Sequence, residues 1–252
     1  MSQSIELRNV SKSFGDFQAL SNVSLHIEEG EFVALVGKSG CGKSTLLRII
    51  AGLLKPTQGS VMVAGQPVTG PSDDVGIAFQ SSVLLPWRTV EENIRLQLEI
   101  RGINRPDTNR EVQRLIELTG LKGFEKSRPY ELSGGMQQRV SLCRALVHNP
   151  SLLLMDEPFG ALDAMTREQL NSEIQRVWME TGKTIVLVTH SIIEAVYLAD
   201  RVVVMESHPG RITEIVDVKV ERPRSFSKLG EPAFQEASDR IRRRMDAVGM
   251  TA

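Results

Sequence analysis

Cysteine is scarce in this sequence, with only Cys41 and Cys143 among 252 residues. Neither belongs to a close pair or to a metal-ligand pattern such as Cys-x-x-Cys, which argues against a disulfide framework and a cysteine-type zinc module. We therefore expect two reduced thiols. The composition, with 41% hydrophobic residues, is ordinary for a globular chain that buries one core.

Long hydrophobic runs are also absent, and this excludes a membrane-spanning helix of about 20 apolar residues. No basic region followed by an apolar stretch occurs at the N-terminus, so we expect no secretory signal and a cytoplasmic protein whose membrane role is peripheral. The most apolar segments are short and lie at 32–36, 49–54, 152–155 and 185–188.

The chain lacks an excess of charge of either sign, because 30 basic side chains face 31 acidic ones. This balance argues against nucleic acid as a partner, since a polyanionic backbone is usually met by a strongly basic surface. A local basic cluster remains near the C-terminus, at Arg240, Arg242, Arg243 and Arg244. It fits lipid headgroups or a solvent-exposed helix face, and we favour the latter.

Strand and helix patterns alternate along most of the chain. This order predicts an α/β fold with a mainly parallel sheet, N-terminal antiparallel strands and an inserted helical subdomain. The predicted strands cover 5–10, 23–27, 32–36, 60–64, 75–79, 152–155, 184–189 and 201–205, and the predicted helices cover 43–54, 90–100, 107–118, 135–147, 167–180 and 192–198.

A glycine-rich loop lies between a predicted strand and a predicted helix, which is the context that a phosphate-binding P-loop requires. Its glycines let backbone N–H groups surround phosphates, Lys43 supplies a charge for the β- and γ-phosphates, Ser44 offers a hydroxyl to Mg²⁺, and Thr45 is placed for the α-phosphate. The motif G-x-x-x-x-G-K-S is formed by Gly37, Lys38, Ser39, Gly40, Cys41, Gly42, Lys43 and Ser44. Taken alone, this loop indicates a nucleotide phosphate, as in kinases, GTPases, helicases and transporters.

Two further motifs narrow the class. Leu-Ser-Gly-Gly at 132–135 precedes a predicted helix, and an apolar strand at 152–155 ends in Asp156 and Glu157. In these motifs the sequence resembles the ABC ATPase family, over about residues 4–217. The resemblance implies a P-loop NTPase core that binds ATP and Mg²⁺ and hydrolyses ATP.

The position of the two carboxylates at the strand end also indicates a ligand-binding site independently of the resemblance, because parallel α/β sheets bind ligands at this edge. Asp156 is placed to hold Mg²⁺, together with Ser44 and Gln80. The resemblance implies that Glu157 deprotonates the attacking water, that Gln80 contacts the metal or the water, and that His190 is the switch histidine beside the γ-phosphate.

The resemblance also implies a head-to-tail homodimer that encloses two ATP molecules. In it, the signature turn of one chain faces the γ-phosphate held by the other, and Ala161-Leu162-Asp163 forms the D-loop. Phe14 is similar to the aromatic residue that stacks on adenine, with Phe17 as the alternative. The signature turn itself consists of Ser133, Gly134 and Gly135.

Residues 80–90 resemble the Q-loop region of importers for nitrate, sulfonates and taurine. This implies a separate membrane permease, an external or periplasmic solute-binding protein that acts indirectly, and a location on the cytoplasmic face of the inner membrane. A lipid-trafficking or efflux system with a separate permease, a non-transport ABC ATPase and a switch without hydrolysis stay open. Leu84, Leu85 and Trp87 either receive the permease or pack the subdomain.

We expect an ATPase domain at 4–220, divided into a core at 4–88 and 150–220 and a helical subdomain at about 89–149. The remaining residues, 221–252, are expected to form a C-terminal tail. This tail is too short for a further regulatory domain, because domains start near 50 residues.

Overall fold

A computed structural model describes residues 4–160 and 162–249 of the chain. Within this part, strands and helices alternate in the predicted manner. The strands are β1 (Ile5–Phe14), β2 (Phe17–Ile27), β3 (Phe32–Gly37), β4 (Gln58–Val63), β5 (Gln66–Pro67), β6 (Val75–Ala78), β7 (Leu152–Asp156), β8 (Thr184–Val188), β9 (Arg201–Glu206) and β10 (Arg211–Asp217). The helices are α1 (Lys43–Ile50), α2 (Val90–Ile100), α3 (Thr108–Leu118), α4 (Gly134–Leu146), α5 (Ala164–Thr181), α6 (Ile192–Leu198) and α7 (Pro232–Gly249).

The strands form two sheets. A six-stranded sheet has the order β10-β9-β3-β8-β7-β6, and all its pairs are parallel except that between β9 and β10. A four-stranded sheet, β2-β1-β4-β5, is antiparallel throughout. The predicted fold class, a mainly parallel sheet with N-terminal antiparallel strands, is therefore confirmed.

Strand β3 lies in the middle of the larger sheet, and all six of its residues are buried. Successive side chains of a strand point to opposite faces, so this strand serves two apolar clusters. Val33 and Leu35 pack with α1 and the antiparallel sheet, whereas Phe32, Ala34 and Val36 pack with the helical insertion. Burial on both faces explains why the sequence shows a continuous apolar run here.

Helices α2, α3 and α4 are inserted between β6 and β7, close to the predicted bounds. Helix α2 starts at a capping box, in which Thr89 accepts from the Glu92 amide and Glu92 accepts from the Thr89 amide. Helix α1 ends at Ile50 and not at residue 54 as predicted. The amides of Leu53 and Leu54 both turn back to the Arg48 carbonyl, which closes the helix although the apolar spacing continues.

The segment after residue 220 contains a helix that the apolar pattern did not predict. Phe234, Ala237 and Ile241 of α7 are buried in the main apolar cluster. On the outer face of the helix, Arg240 lies 2.6 Å from Glu214 and Arg242 lies 3.2 Å from Asp239, and both arginines are exposed. The tail residues 250–252 lie outside the described residues.

Arg224 ties this segment to the core. Its buried guanidinium donates to the carbonyls of Val196 and Ala199, each at 2.7 Å, at the end of α6. Burial lowers the pKa of Arg224 to about 10. Across the described residues, 4–160 and 162–249, no helix is long and apolar enough to cross a bilayer.

Candidate active site

Three neighbouring strands bring the candidate residues to one edge of the six-stranded sheet. In the parallel register, Leu35 of β3 pairs with Val188 of β8, which in turn pairs with Asp156 of β7. The loops that follow these strands therefore start side by side. This carboxyl edge is where open α/β sheets bind ligands.

The glycine-rich loop connects β3 to α1 and is shaped by close backbone approaches. Gly42 is the N-cap of α1 with φ 90°, and a Cβ at this position would lie 2.5 Å from Leu20 Cδ2. Only glycine fits both restrictions. Helix α1 starts when the Leu46 amide donates to the Gly42 carbonyl at 2.8 Å, so the N–H groups of its first turn point toward the loop.

Lys43 is 6% exposed and lies under this loop. Its Nζ donates to the Gly37 carbonyl at 2.7 Å and to the Lys38 carbonyl at 3.1 Å, and it lies 3.6 Å from Cys41 Sγ. Gly37, Lys38 and Cys41 thus hold the ammonium group in place. Cys41 is a fully buried free thiol.

Ser44 and Asp156 meet beside the loop. Ser44 Oγ donates to Asp156 Oδ1 at 2.8 Å, although 112 positions separate the two residues. Burial raises the pKa of Asp156. The hydrogen bond from Ser44 and the charge of Arg48 act in the opposite direction and offset part of this rise. A hydroxyl and a buried carboxylate with Gln80 nearby form an all-oxygen donor set, and such a set fits Mg²⁺.

Glu157 lies one residue beyond β7, with φ 47° in the left-handed region. Its Oε2 is 3.4 Å from Gln80 Nε2 and 3.4 Å from His190 Nδ1. The strained backbone turns the side chain away from the strand and toward these two groups. The three candidate residues, which follow three different strands, therefore converge around one carboxylate oxygen.

Gln80, Glu157 and residues of the P-loop line one cleft with a volume of about 380 Å³, and His190 is not part of this lining. An adjoining cavity of about 460 Å³ is lined by Ser44, Gln80, Asp156 and Arg48 among others. The lining of the first cleft comprises Phe14, Phe17, Ala19, Ser39, Gly40, Gly42, Lys43, Ser44, Thr45, Gln80 and Glu157.

Both aromatic candidates lie at the mouth of this cleft. Phe14 and Phe17 face each other across the β1–β2 hairpin and are 49% and 55% exposed. The Lys12 ammonium lies 5.1 Å from the centroid of the Phe14 ring. Both rings are therefore placed to stack on a base, and the choice between them stays open.

The signature turn lies away from this cleft. Ser133 is the N-cap of α4, and its Oγ accepts from the Met136 amide at 3.3 Å. None of Ser133, Gly134, Gly135 and Asp163 lines either cavity described above. Asp163 caps α5 by accepting from the Thr166 amide at 3.0 Å, and Ala161 of the predicted D-loop lies outside the described residues.

Sequence reasoning missed Arg48 as a site residue. It is exposed, lines the cavity beside Asp156, and offsets part of the rise in the pKa of that carboxyl that burial causes. The signal was present, because Arg48 follows Ser44 by four residues in α1 and four residues complete about one helical turn.

Comparison with known proteins places these features in a family. The family model described as ABC transporter matches residues 20–160, more than half of the chain. An aliphatic sulfonates import ATP-binding protein of Bacillus cereus is 42% identical over 250 residues, which cover 98% of this chain and 97% of that protein. A taurine import ATP-binding protein of a Jannaschia species is 46% identical over 213 residues, with 82% and 80% covered.

A solved structure of an ATP-binding cassette has a similar fold. A dimeric ATP-binding cassette in a post-hydrolysis state, bound to ADP and Pi, matches with a TM-score of 0.77 and 35% identity. The match covers 86% of this chain and all of that one. The likeness therefore extends over nearly the whole fold.

Proposed function

This chain belongs to the ABC transporter family and is an ATPase, and we propose that it energises the import of a small solute, such as nitrate, a sulfonate or taurine, through a separate permease. The convergence of Gln80 and His190 on Glu157, beside the P-loop, is the observation that carries the catalytic part of the proposal. A turn that only bound phosphate would not need these three side chains.

In the proposed reaction, Lys43 and the P-loop amides hold the β- and γ-phosphates. Ser44, Asp156 and Gln80 would hold Mg²⁺, which when bound would offset part of the phosphate charge. Glu157 Oε2 accepts a proton from the attacking water as the water oxygen bonds to the γ-phosphorus, and the bond between that phosphorus and the β–γ bridging oxygen breaks to release ADP and phosphate. Gln80 and His190 orient the water and the γ-phosphate, since both have hydrogen-bonding groups directed at Glu157.

We propose that two chains pair head to tail. The signature turn is a second helix N-terminus suited to phosphate, yet it lies outside the cleft of its own chain. The relative bound to ADP and Pi is dimeric, which supports pairing. In this arrangement each site takes its P-loop from one chain and Ser133 from the other.

Mixing two inactive variants tests this pairing. A heterodimer of Ser133→Arg and Lys43→Ala chains has one site with both defects and one intact site, so we expect hydrolysis to return to as much as about half the wild-type rate per heterodimer. Phosphate release is measured against each variant alone, with heterodimers verified by two affinity tags. Verified heterodimers that stay inactive would contradict the composite site.

The import proposal is supported by the relatives whose names specify sulfonate and taurine import. A docking surface for a permease is available beside Gln80, where Val83 and Trp87 are 61% and 68% exposed. Exposed apolar side chains on this scale often mark a protein interface. We accordingly place the protein on the cytoplasmic face of the membrane, bound to its permease, with an external solute-binding protein acting indirectly.

Uptake measurements test the substrate class. In cells of the source organism, replacing the chain by its Glu157→Gln form should abolish uptake of labelled taurine or an alkanesulfonate, because transport requires ATP hydrolysis. Nitrate uptake is measured in the same cells as the related alternative. Unchanged uptake of all three solutes would overturn the substrate proposal, and altered lipid export or drug efflux would favour those systems.

A further inference from the structure

Glu194 is a buried carboxylate close to the candidate switch histidine, His190. It lies in α6 and is 5% exposed. Its Oε2 accepts a hydrogen bond from the Thr189 hydroxyl, and the same hydroxyl accepts from the Ser191 amide at 3.0 Å. Glu194 therefore fixes the backbone on both sides of His190.

His190 depends on this support because its own side chain is held weakly. The imidazole is 64% exposed, and its Nδ1 lies 3.4 Å from Glu157 Oε2. A side chain so exposed takes its position from the backbone that carries it. Burial raises the pKa of Glu194, while Thr189 and Arg167 oppose that shift.

The second oxygen of Glu194 faces helix α5. Glu194 Oε1 lies 3.5 Å from Arg167 Nε, and the same guanidinium donates to the Leu162 carbonyl at 3.0 Å. Leu162 in turn packs against the signature turn, since a Cβ added at Gly135 would lie 2.8 Å from its Cδ2. A continuous set of contacts thus connects Thr189, Glu194, Arg167, Leu162 and Gly135.

We propose that Glu194 and Arg167 are positioning residues that hold His190 in its catalytic place and connect it to the signature turn of the same chain. The inference rests on the proposed function, in which His190 serves one ATP site and the signature turn serves the other. The pair would then make the geometry of one site depend on that of the other.

Glu194→Gln keeps the shape, but its single side-chain oxygen cannot serve both the Thr189 hydroxyl and Arg167, and the charge that faces Arg167 is lost. We expect kcat to fall about tenfold, with ATP affinity within about twofold of wild type, because phosphate binding depends on the P-loop. Glu31→Gln is the matched control, because Glu31 forms a partly buried ion pair with Arg201 at the opposite edge of the sheet, and the kcat of this variant should change by less than about twofold.

The His190→Ala background separates positioning from simple destabilisation. With His190 absent, Glu194→Gln should lower kcat by less than about twofold further, because the group it positions is gone. Arg167→Met should lower kcat like Glu194→Gln, and Arg167→Lys should restore part of the loss. If Glu194→Gln fails to fold, Arg167→Met, whose side chain is one third exposed, takes its place in the same tests.

Two failures are distinguishable. If wild-type protein hydrolyses no ATP, the proposed function is wrong and the inference falls with it. If the wild type is active, the inference alone is overturned when folded Glu194→Gln or Arg167→Met hydrolyses like Glu31→Gln, or when the loss is equally large with and without His190.

Discussion

Hydrolysis by the Glu157→Gln variant is expected to be about 10²- to 10⁴-fold slower than that of the wild type, while ATP remains bound. Glutamine keeps the side-chain shape and can still contact Gln80 and His190, which each lie 3.4 Å from Glu157 Oε2. It cannot accept the proton of the attacking water at neutral pH. The lost step is therefore chemistry, and the phosphate contacts of the P-loop persist.

The same variant should accumulate as an ATP-bound dimer, because ATP that is not cleaved keeps joining the two chains. Size-exclusion chromatography with light scattering, with ATP and with ADP, measures the mass beside a phosphate-release assay. Glu206→Gln is the control, since Glu206 is half-buried at the same edge of the sheet, at the end of β9. A Glu157→Gln protein that turns over normally would remove Glu157 from catalysis, and one that stays monomeric in saturating ATP would contradict the proposed dimer.

Lys43→Ala is expected to lose about 10²- to 10³-fold in hydrolysis, because the β- and γ-phosphates lose their main protein counter-charge. In contrast to Glu157→Gln, this variant should also bind ATP more weakly. The ammonium lies under the loop and donates to the Gly37 and Lys38 carbonyls, so alanine also removes two contacts that hold the loop.

A matched lysine controls for burial. Lys183 is also buried, and it donates to Asn149 Oδ1 at 2.7 Å and to the Pro150 carbonyl at the other end of the strands. Lys183→Ala should lower the thermal unfolding temperature yet leave kcat per folded molecule within about twofold of wild type. Equal losses of kcat in the two variants would mean that Lys43 acts only through folding.

The apolar periodicity of the sequence predicted the central strands and the inserted helices, because burial on one or both faces leaves a readable pattern. It failed at α7, where Phe234, Ala237 and Ile241 contact the core among many charged residues. It also overextended α1, since the turn at Gly52 ended a helix whose apolar spacing continued. Both errors arose where tertiary contacts and a local turn outweighed the average pattern.

Some residues of the candidate site could likewise be predicted from local sequence, and others could not. The phosphate loop is local, and its eight residues specify a strand, a turn and a helix N-terminus whose chemistry could be predicted from spacing alone. Arg48 could also have been predicted as a site residue, because it lies one helical turn after Ser44. The roles of Gln80, Glu157 and His190 came only from their order along the chain and from the family resemblance.

The sequence by itself thus determined the fold class, the phosphate loop and the types of group near it, because these depend on neighbours in the chain. Only the tertiary structure decided which of them meet. The parallel register of β6, β7 and β8 brings Glu157 within 3.4 Å of Gln80, 77 positions away, and of His190. The same packing sets Glu194 beside Arg167 and leaves Ser133 outside its own cleft, since distances between loops depend on how strands pair and helices pack.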